Sequence, residues 1–485
     1  MGKKDTENLD NVNSSRRDFI KKAGTAVAGL LVVPYLRPSG IFAYNHKQSS
    51  SYLAKVAITN TLNTPADSYV YDDANGGVLQ KVQYLFEQLG GISDIFSSGK
   101  KVVIKLNLTG GSGNATNSKL NGIPVTEAMW SNPAVVKAVT QLIIDAGVSA
   151  SNITLGDSLS SGDSYDNSVF QDYVDIQNSL GCQLVDLSKG TFVDISTGSS
   201  YFNFSSLTMN QILRDTDVYV SIPKLKQHAE AGLTCSIKNQ VGSVPQALYE
   251  TASIQYRRQA IHSPTNGSSA TFLPRSICDL FAARPVHFAV VDGIKNARGG
   301  EGVWNPNFVP YESHVMFAGK DPVATDSVGA YLMELDSEAA KLQLPGDNGY
   351  GDTECDNYLD LLHTKGIGTN KLSEIEVVGD GANLVTTDVQ PNLQKQIPAN
   401  FKLCANYPNP FNPSTMIVFY LPKSERVTLK VYDIVGREVE TLITGEVPAG
   451  EHRLQWSAQG LASGVYLCRL EAGGFSETIK MVYQK

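Results

Sequence analysis

The sequence predicts two folded units of different class. One is an α/β domain with a mainly parallel sheet over residues 52–385; the other is a small all-β, immunoglobulin-like sandwich over residues 405–485. Three observations carry this. Short apolar, β-branched runs alternate with helical periodicity as far as Val378, the pattern of repeated βα units. Beyond residue 405, short strands follow one another with turn residues between them and no helical period. Finally, 485 residues are too many for a single core.

Composition narrows the function classes. A net charge of −8 argues against nucleic acid as a partner. Seven Lys/Arg against four Asp/Glu in residues 1–43 leave the rest of the chain more acidic still. The six cysteines lie far apart without a CxxC, which excludes a ferredoxin-type iron–sulfur motif and a zinc ribbon. An even cysteine count permits disulfides, and buried free thiols are the equal alternative.

Residues 1–43 read as an export signal. Arg16 and Arg17 precede Phe19 and a modest apolar run, Thr25 to Val33, in the pattern of a twin-arginine signal peptide. That run is too short for a membrane anchor. The expected partner is the twin-arginine translocase.

From residue 52 the elements come in order. Lys55 to Thr59 and Val102 to Leu106 are strands, separated by a helix over Val78 to Leu89 that stops at Gly90-Gly91. A loop rich in Gly, Ser and Asn spans Gly110 to Gly122. Asn132 caps a helix with Pro133 in its first turn and Gly147 at its end. Ile153 to Leu155 is a strand that delivers Asp157 and Ser158. A helix to Leu180 and a strand, Gln183 to Asp186, follow, then a β excursion from Thr191 to Ser206. After the strand Val218 to Ile222, helices are expected over Pro245 to Ile261 and Pro274 to Ala283. Val286 to Val291 is a strand ending in Asp292, and Val315 to Ala318 another. Asp321 and Pro322 start a helix carrying Asp326 one turn in. A helix over Tyr358 to Thr364 and a strand over Ile375 to Val378 complete the domain.

The richest stretch is Pro223 to Gly242, PKLKQHAEAGLTCSIKNQVG. Pro223 is expected to close the buried strand before it, because proline donates nothing to a ladder. Lys224, Lys226 and His228 would then emerge in an extended loop on one face. Ligands of open α/β sheets bind at this end of the strands. Other strand tips add Lys105 and Asn107, Asp157 and Asp292, and the glycine-rich loop Gly299–Gly302 adds Glu301.

These residues define a candidate site for a small anionic ligand. Lys105, Asn107, Lys224, Lys226 and Asn239 are the expected anion-binding groups. His228 and Lys238 are the expected catalytic groups, His228 because its ordinary pKa lies near working pH. Two chemistries stay open. Asp157, Asp292 and Glu301 either hold a divalent cation or merely pair the lysines. His262, His287, His314 and His363 stand alone and read as structural. There is no G-x-S-x-G elbow, no Walker A and no G-x-G-x-x-G.

The blocks PKLKQH…GLTCSIKNQVG, VVDGI…GGEG and AGKDPVATDSVGAYLM, with VVIKLN and NPAVVKAVTQLIIDAG…ITLGDS upstream, resemble the family catalogued as domain of unknown function 362. The family usually has proline where this chain has Leu106. It also has an asparagine-glycine-proline step near Gly300–Val303. Many relatives carry ferredoxin-like modules whose cysteines are missing here. The resemblance implies a fold and a site, with no settled reaction.

Residues 386–404 read as a linker. Then NYPNPFNPST…LKVYDIVGREVETL…LASGVYLCRL…KMV, from Asn406, resembles the C-terminal sorting domain of type IX secretion substrates. That implies a partner, the type IX machinery, and a secreted or cell-surface location. The functional expectation is an exported protein, an enzyme on an anionic ligand. The alternative is a surface-displayed binding protein without turnover.

Overall fold

The structure is a computed structural model describing residues 53–114, 118–250, 258–263, 269–344, 354–385, 401–403, 406, 409, 411–447 and 450–484. The signal peptide expected at 1–43 lies outside the described residues, as does the middle of the helix expected over Pro245 to Ile261. The chain divides into two compact units, Met1–Gln390 and Pro391–Lys485.

The first unit is built on one mixed sheet. Its strands, in chain order, are β1 (Ala54–Asn60), β2 (Val102–Lys105), β3 (Ile153–Asp157), β4 (Gln183–Asp186), β5 (Val218–Ser221), β6 (Lys224–His228), β7 (Gly232–Thr234), β8 (Phe288–Arg298), β9 (Val309–Gly319) and β10 (Ile375–Val378). The spatial order is β10-β1-β9-β8-β5-β2-β3-β4, with β6 on β8 and β7 on β6. Pairing along the main order is parallel except around β9, which runs antiparallel to β1 and β8.

Both faces of this sheet are covered, which explains why its strands are nearly all apolar. Successive side chains point to opposite faces. Accordingly Val102, Ile104, Val218 and Val220 enter one core with the helices Val78–Gln88 and Pro133–Asp145. Val103 and Tyr219 enter another, with Ser269–Ala283 and Pro322–Leu332. Asn132 and Asp321 cap their helices as the sequence suggests, each accepting a backbone N–H two residues on. The described cysteines of this unit (Cys182, Cys235, Cys278 and Cys355) and Cys468 are buried free thiols.

One expectation fails, and its failure shapes the site. Lys224 to His228 is not a loop but a strand. Pro223 does end the partnership with β2, yet its carbonyl accepts the Asp292 N–H at 3.1 Å. The chain therefore keeps running along β8, with Lys224 opposite Asp292 and Lys226 opposite Ala297. Proline removes a donor, but the acceptor on the other side of the backbone survives.

The second unit is all-β. Lys402–Leu403, Ser414–Leu421 and Gly450–Ser457 form one antiparallel sheet. Glu438–Val447, Glu425–Asp433, Gly464–Ala472 and Phe475–Tyr483 form the other. Ile417 and Phe419 of the first meet Leu429, Val431 and Cys468 of the second in one core. Lys402–Leu403 pairs with Phe419 and Tyr420, so the last residues of the expected linker belong to this sheet.

Candidate functional site: a polar cavity at the strand tips

A cavity of about 1020 Å³ opens at the C-terminal ends of β2, β3 and β6. Lys105 and Asn107 reach it from β2, Asp157 and Ser158 from β3, and His228 and Glu230 from β6. The short 3₁₀ turn Lys238–Ser243 contributes Lys238 and Asn239, and the glycine-rich loop contributes Glu301 and Trp304. Seven of the ten expected site residues thus share one cavity: Lys105, Asn107, Asp157, His228, Lys238, Asn239 and Glu301. Lys224, Lys226 and Asp292 are not among its lining.

The floor is a tight polar lattice. Lys105 Nζ donates to Asp157 Oδ1 at 2.7 Å and to the Leu106 carbonyl at 2.6 Å. Asp157 Oδ2 accepts the Leu108 N–H at 2.7 Å. Asn239 Oδ1 accepts from Asn107 Nδ2 at 2.9 Å, and its own amide donates to Ser221 Oγ at 3.0 Å. Gly242 has to be glycine here. A Cβ on it would lie 2.5 Å from Asp157 Oδ1 and 2.6 Å from Lys105 Nζ.

Around the wall, burial decides the protonation states. His228 Nδ1 accepts the Glu230 N–H at 3.0 Å, so the neutral ring carries its proton on Nε2. Desolvation lowers its pKa to about 3. Burial thus favours the neutral ring, a donor through Nε2, against the expectation that His228 titrates near working pH. Glu301 lies 3.9 Å from it and accepts from Trp304 Nε1 at 2.9 Å and Ala229 N at 3.1 Å. Burial alone would raise the Glu301 carboxyl, but its neighbours, these donors and Lys238 hold it below the usual range. Lys238 is the group brought near neutrality. Desolvation, aided by Arg258 and Lys105, lowers its amine to about 8 against the opposing pull of Glu301 and Glu230.

The turn carrying Lys238 is held from behind. Asp326, buried in the helix Pro322–Leu332, accepts Ser236 N at 2.8 Å and Ile237 N at 2.9 Å, and also takes the Ser236 hydroxyl. Burial raises its carboxyl to about 6, against the pull of these same donors. Asp326 thus acts as a positioning residue by holding Ser236 and Ile237, immediately before Lys238.

The three expected residues outside the cavity form a separate set. Lys224 pairs with Asp292 with both side chains fully buried, and donates to Tyr69 Oη at 3.0 Å. Asp292 also accepts the Asn132 N–H at 3.0 Å. Lys226 Nζ donates to the Met129 carbonyl at 2.7 Å. Burial lowers the pKa of both lysines, that of Lys226 far more. Asp157, Asp292 and Glu301 are consequently not brought together. Among the described residues no three His, Cys, Asp or Glu side chains are placed to hold a metal.

Sequence reasoning missed several lining groups. Arg258 donates to the Val244 and Ser158 carbonyls at 2.7 Å each. His262, expected to be structural, lines the cavity with Nε2 3.8 Å from Glu230. His287, by contrast, does what was expected and accepts the Tyr219 N–H at 3.1 Å. Glu230 sat inside the quoted block and could have been found there. Arg258 and His262 lie far along the chain from the strand and carry no local signal.

A mixed, mainly parallel sheet with helices on both faces, followed by an all-β unit, defines the class: an α/β domain with a polar cavity at its strand tips, carried with a C-terminal β module. Residues 102–331 match the model of the family described as domain of unknown function (DUF362), and residues 405–484 match that of the secretion system C-terminal sorting domain. The thylakoid-associated protein sll1697 of Synechocystis sp. is 27% identical over 261 residues, 54% of this chain and 71% of that protein.

Three solved structures are similar in part. Dimeric latent PorU from Porphyromonas gingivalis is 22% identical, over 18% of this chain and 9% of that one, with a TM-score of 0.15. PorZ, a surface component of the type-IX secretion system of the same organism, is 20% identical over 20% and 13%, with a TM-score of 0.14. The lactate racemase apoprotein of Thermoanaerobacterium thermosaccharolyticum is 12% identical over 60% and 59%, with a TM-score of 0.29. This chain spans less than two thirds of each, and at these scores none bears on fold or activity. The sorting domain itself implies secretion or display at the cell surface. Among the described residues no helix is long and apolar enough to cross a membrane.

Proposed function

We propose that the α/β unit is an exported enzyme acting on a small anionic ligand held in the strand-tip cavity, with Lys238 as the proton-carrying group. One observation supports this most strongly. Lys238 and Arg258 line the cavity, and among the described residues neither has a carboxylate at ion-pair distance. Lys238 is buried and Arg258 partly so; buried cations are normally paired, so these two suit a ligand that brings the negative charge. Ser158 adds a buried hydroxyl with no hydrogen-bond partner in the same lining. In this reading the Lys105–Asp157 pair and Asn239 shape the floor, and His228 offers Nε2–H to a ligand oxygen. An amine near pKa 8 exchanges protons at working pH far more readily than an ordinary lysine. Export would follow the twin-arginine route at the inner membrane and the type IX route at the outer, the latter read from the immunoglobulin-like tail.

The test is a thermal-shift series with oxalate, malonate and inorganic phosphate on the full chain and on Lys238→Met. The reading expects at least one anion to raise the melting temperature of the parent and to do so much less in the variant. No shift with any of them in the parent would count against an anion site.

A further inference from the structure

Among the described residues of the α/β unit four lysines are almost fully buried: Lys105, Lys224, Lys226 and Lys238. Three of them are spent. Lys105 is bound to Asp157, Lys224 to Asp292 and Lys226 to the Met129 carbonyl. Only Lys238 both lines the cavity and has no hydrogen bond or ion pair among the described residues. It is also the one whose supporting turn is anchored by a buried carboxylate, Asp326. A fixed amine, reachable from a cavity and without a partner, is the arrangement a lysine nucleophile needs.

We propose that Lys238 forms an imine with the carbonyl carbon of a small oxo-acid, whose carboxylate is held by Arg258 and the Ser158 hydroxyl. This rests on the reading of the cavity as an anion site and names its substrate class. The amine lone pair attacks the carbonyl carbon, and an N–H proton passes to the carbonyl oxygen, giving a carbinolamine. The nitrogen lone pair then expels the hydroxyl, which takes a proton from a cavity acid and leaves as water. The iminium returns one proton to the cavity, so nothing is oxidised or reduced and no proton is consumed overall. Glu230 and Glu301 both act electrostatically on Lys238 and are the groups that can relay that proton. His228, neutral with its proton on Nε2, donates to the carbonyl oxygen as charge develops there. The lowered basicity of Lys238 keeps a large share of the amine unprotonated at mildly alkaline pH, as the attack requires.

The experiment is reductive trapping. The full chain is incubated with pyruvate or glyoxylate and sodium cyanoborohydride, which reduces an imine to a stable secondary amine, and digested for mass spectrometry. The reduced adduct is expected on Lys238 at least tenfold faster than on exposed lysines such as Lys423, and to be suppressed by oxalate, an unreactive dianion. Lys238→Arg should abolish that fast adduct. Should this variant fold poorly, oxalate protection of the parent decides alone. A melting shift with oxalate but no adduct on Lys238 would overturn the imine and leave the anion site standing. Adducts spread evenly over exposed lysines, with no effect of oxalate on trapping or melting, would overturn both.

Discussion

Both units bury an apolar core, but among the described residues only the α/β unit also buries charged side chains. In the sorting tail the buried polar residues among those described are Asn406 and Thr415, which bond each other at 2.9 Å. Its ion pairs, such as Lys430 with Glu438, lie at the surface. The α/β unit instead buries Lys105, Lys224, Lys226, Lys238, Asp157, Asp292 and Asp326 close to one end of its sheet. Burying a charge is costly unless it is paired and hydrogen-bonded. A scaffold needing only stability would look like the tail. In the proposed reading, the difference separates a module whose interior only packs from one whose buried charges serve a ligand site.

The comparison can be broken by mutation. The largest effect belongs to the buried Lys224–Asp292 pair. Asp292→Ala strands the ammonium and should cost about 3–5 kcal/mol in denaturant unfolding of the α/β unit; a loss below 1 kcal/mol would mean that the pair is solvated. In the tail the comparable effect comes from packing. Leu429→Ala removes a core side chain and should cost about 3 kcal/mol, with little dependence on salt or pH.

Asp326→Asn comes next. An amide would turn an N–H₂ toward the donors that the carboxylate now satisfies, for a loss of about 2 kcal/mol. It should also slow trapping at Lys238, which simple destabilisation would not do under conditions where the variant is folded. The smallest effect is Lys430→Ala, whose exposed pair should leave the melting temperature unchanged within error; a clear drop would show that surface charge holds the tail together.

Much of this was legible in the sequence. The α/β class followed from alternating periods, and the tail's strands from turn residues at regular spacing. Of the seven expected residues that share the cavity, Lys105, Asn107, Asp157 and His228 come together because strand tips of a largely parallel sheet converge. What misled was Pro223. A proline in a run of apolar residues reads as a strand end, yet here only the β2 side of the ladder is lost. The polar residues after it, Lys224 to His228, continue as a buried strand. The protonation of His228 was equally invisible, because its shift comes from burial by residues far apart in the chain. Arg258 and His262 enter the site through tertiary packing alone.

The most direct measurement is the pH dependence of competitive acetylation at each lysine, read by mass spectrometry on the full chain. Lys238 binds its proton less tightly in the folded chain than in the unfolded one. Its reactivity should therefore rise through an apparent pKa of about 8, below the ordinary lysine value. The same sign makes the fold slightly more stable as pH climbs above 8, because the unfolded state then holds the extra proton. A Lys238 that titrates at the ordinary lysine value, or that fails to react at any pH where the chain is folded, would contradict a reachable, partnerless amine at the centre of the site.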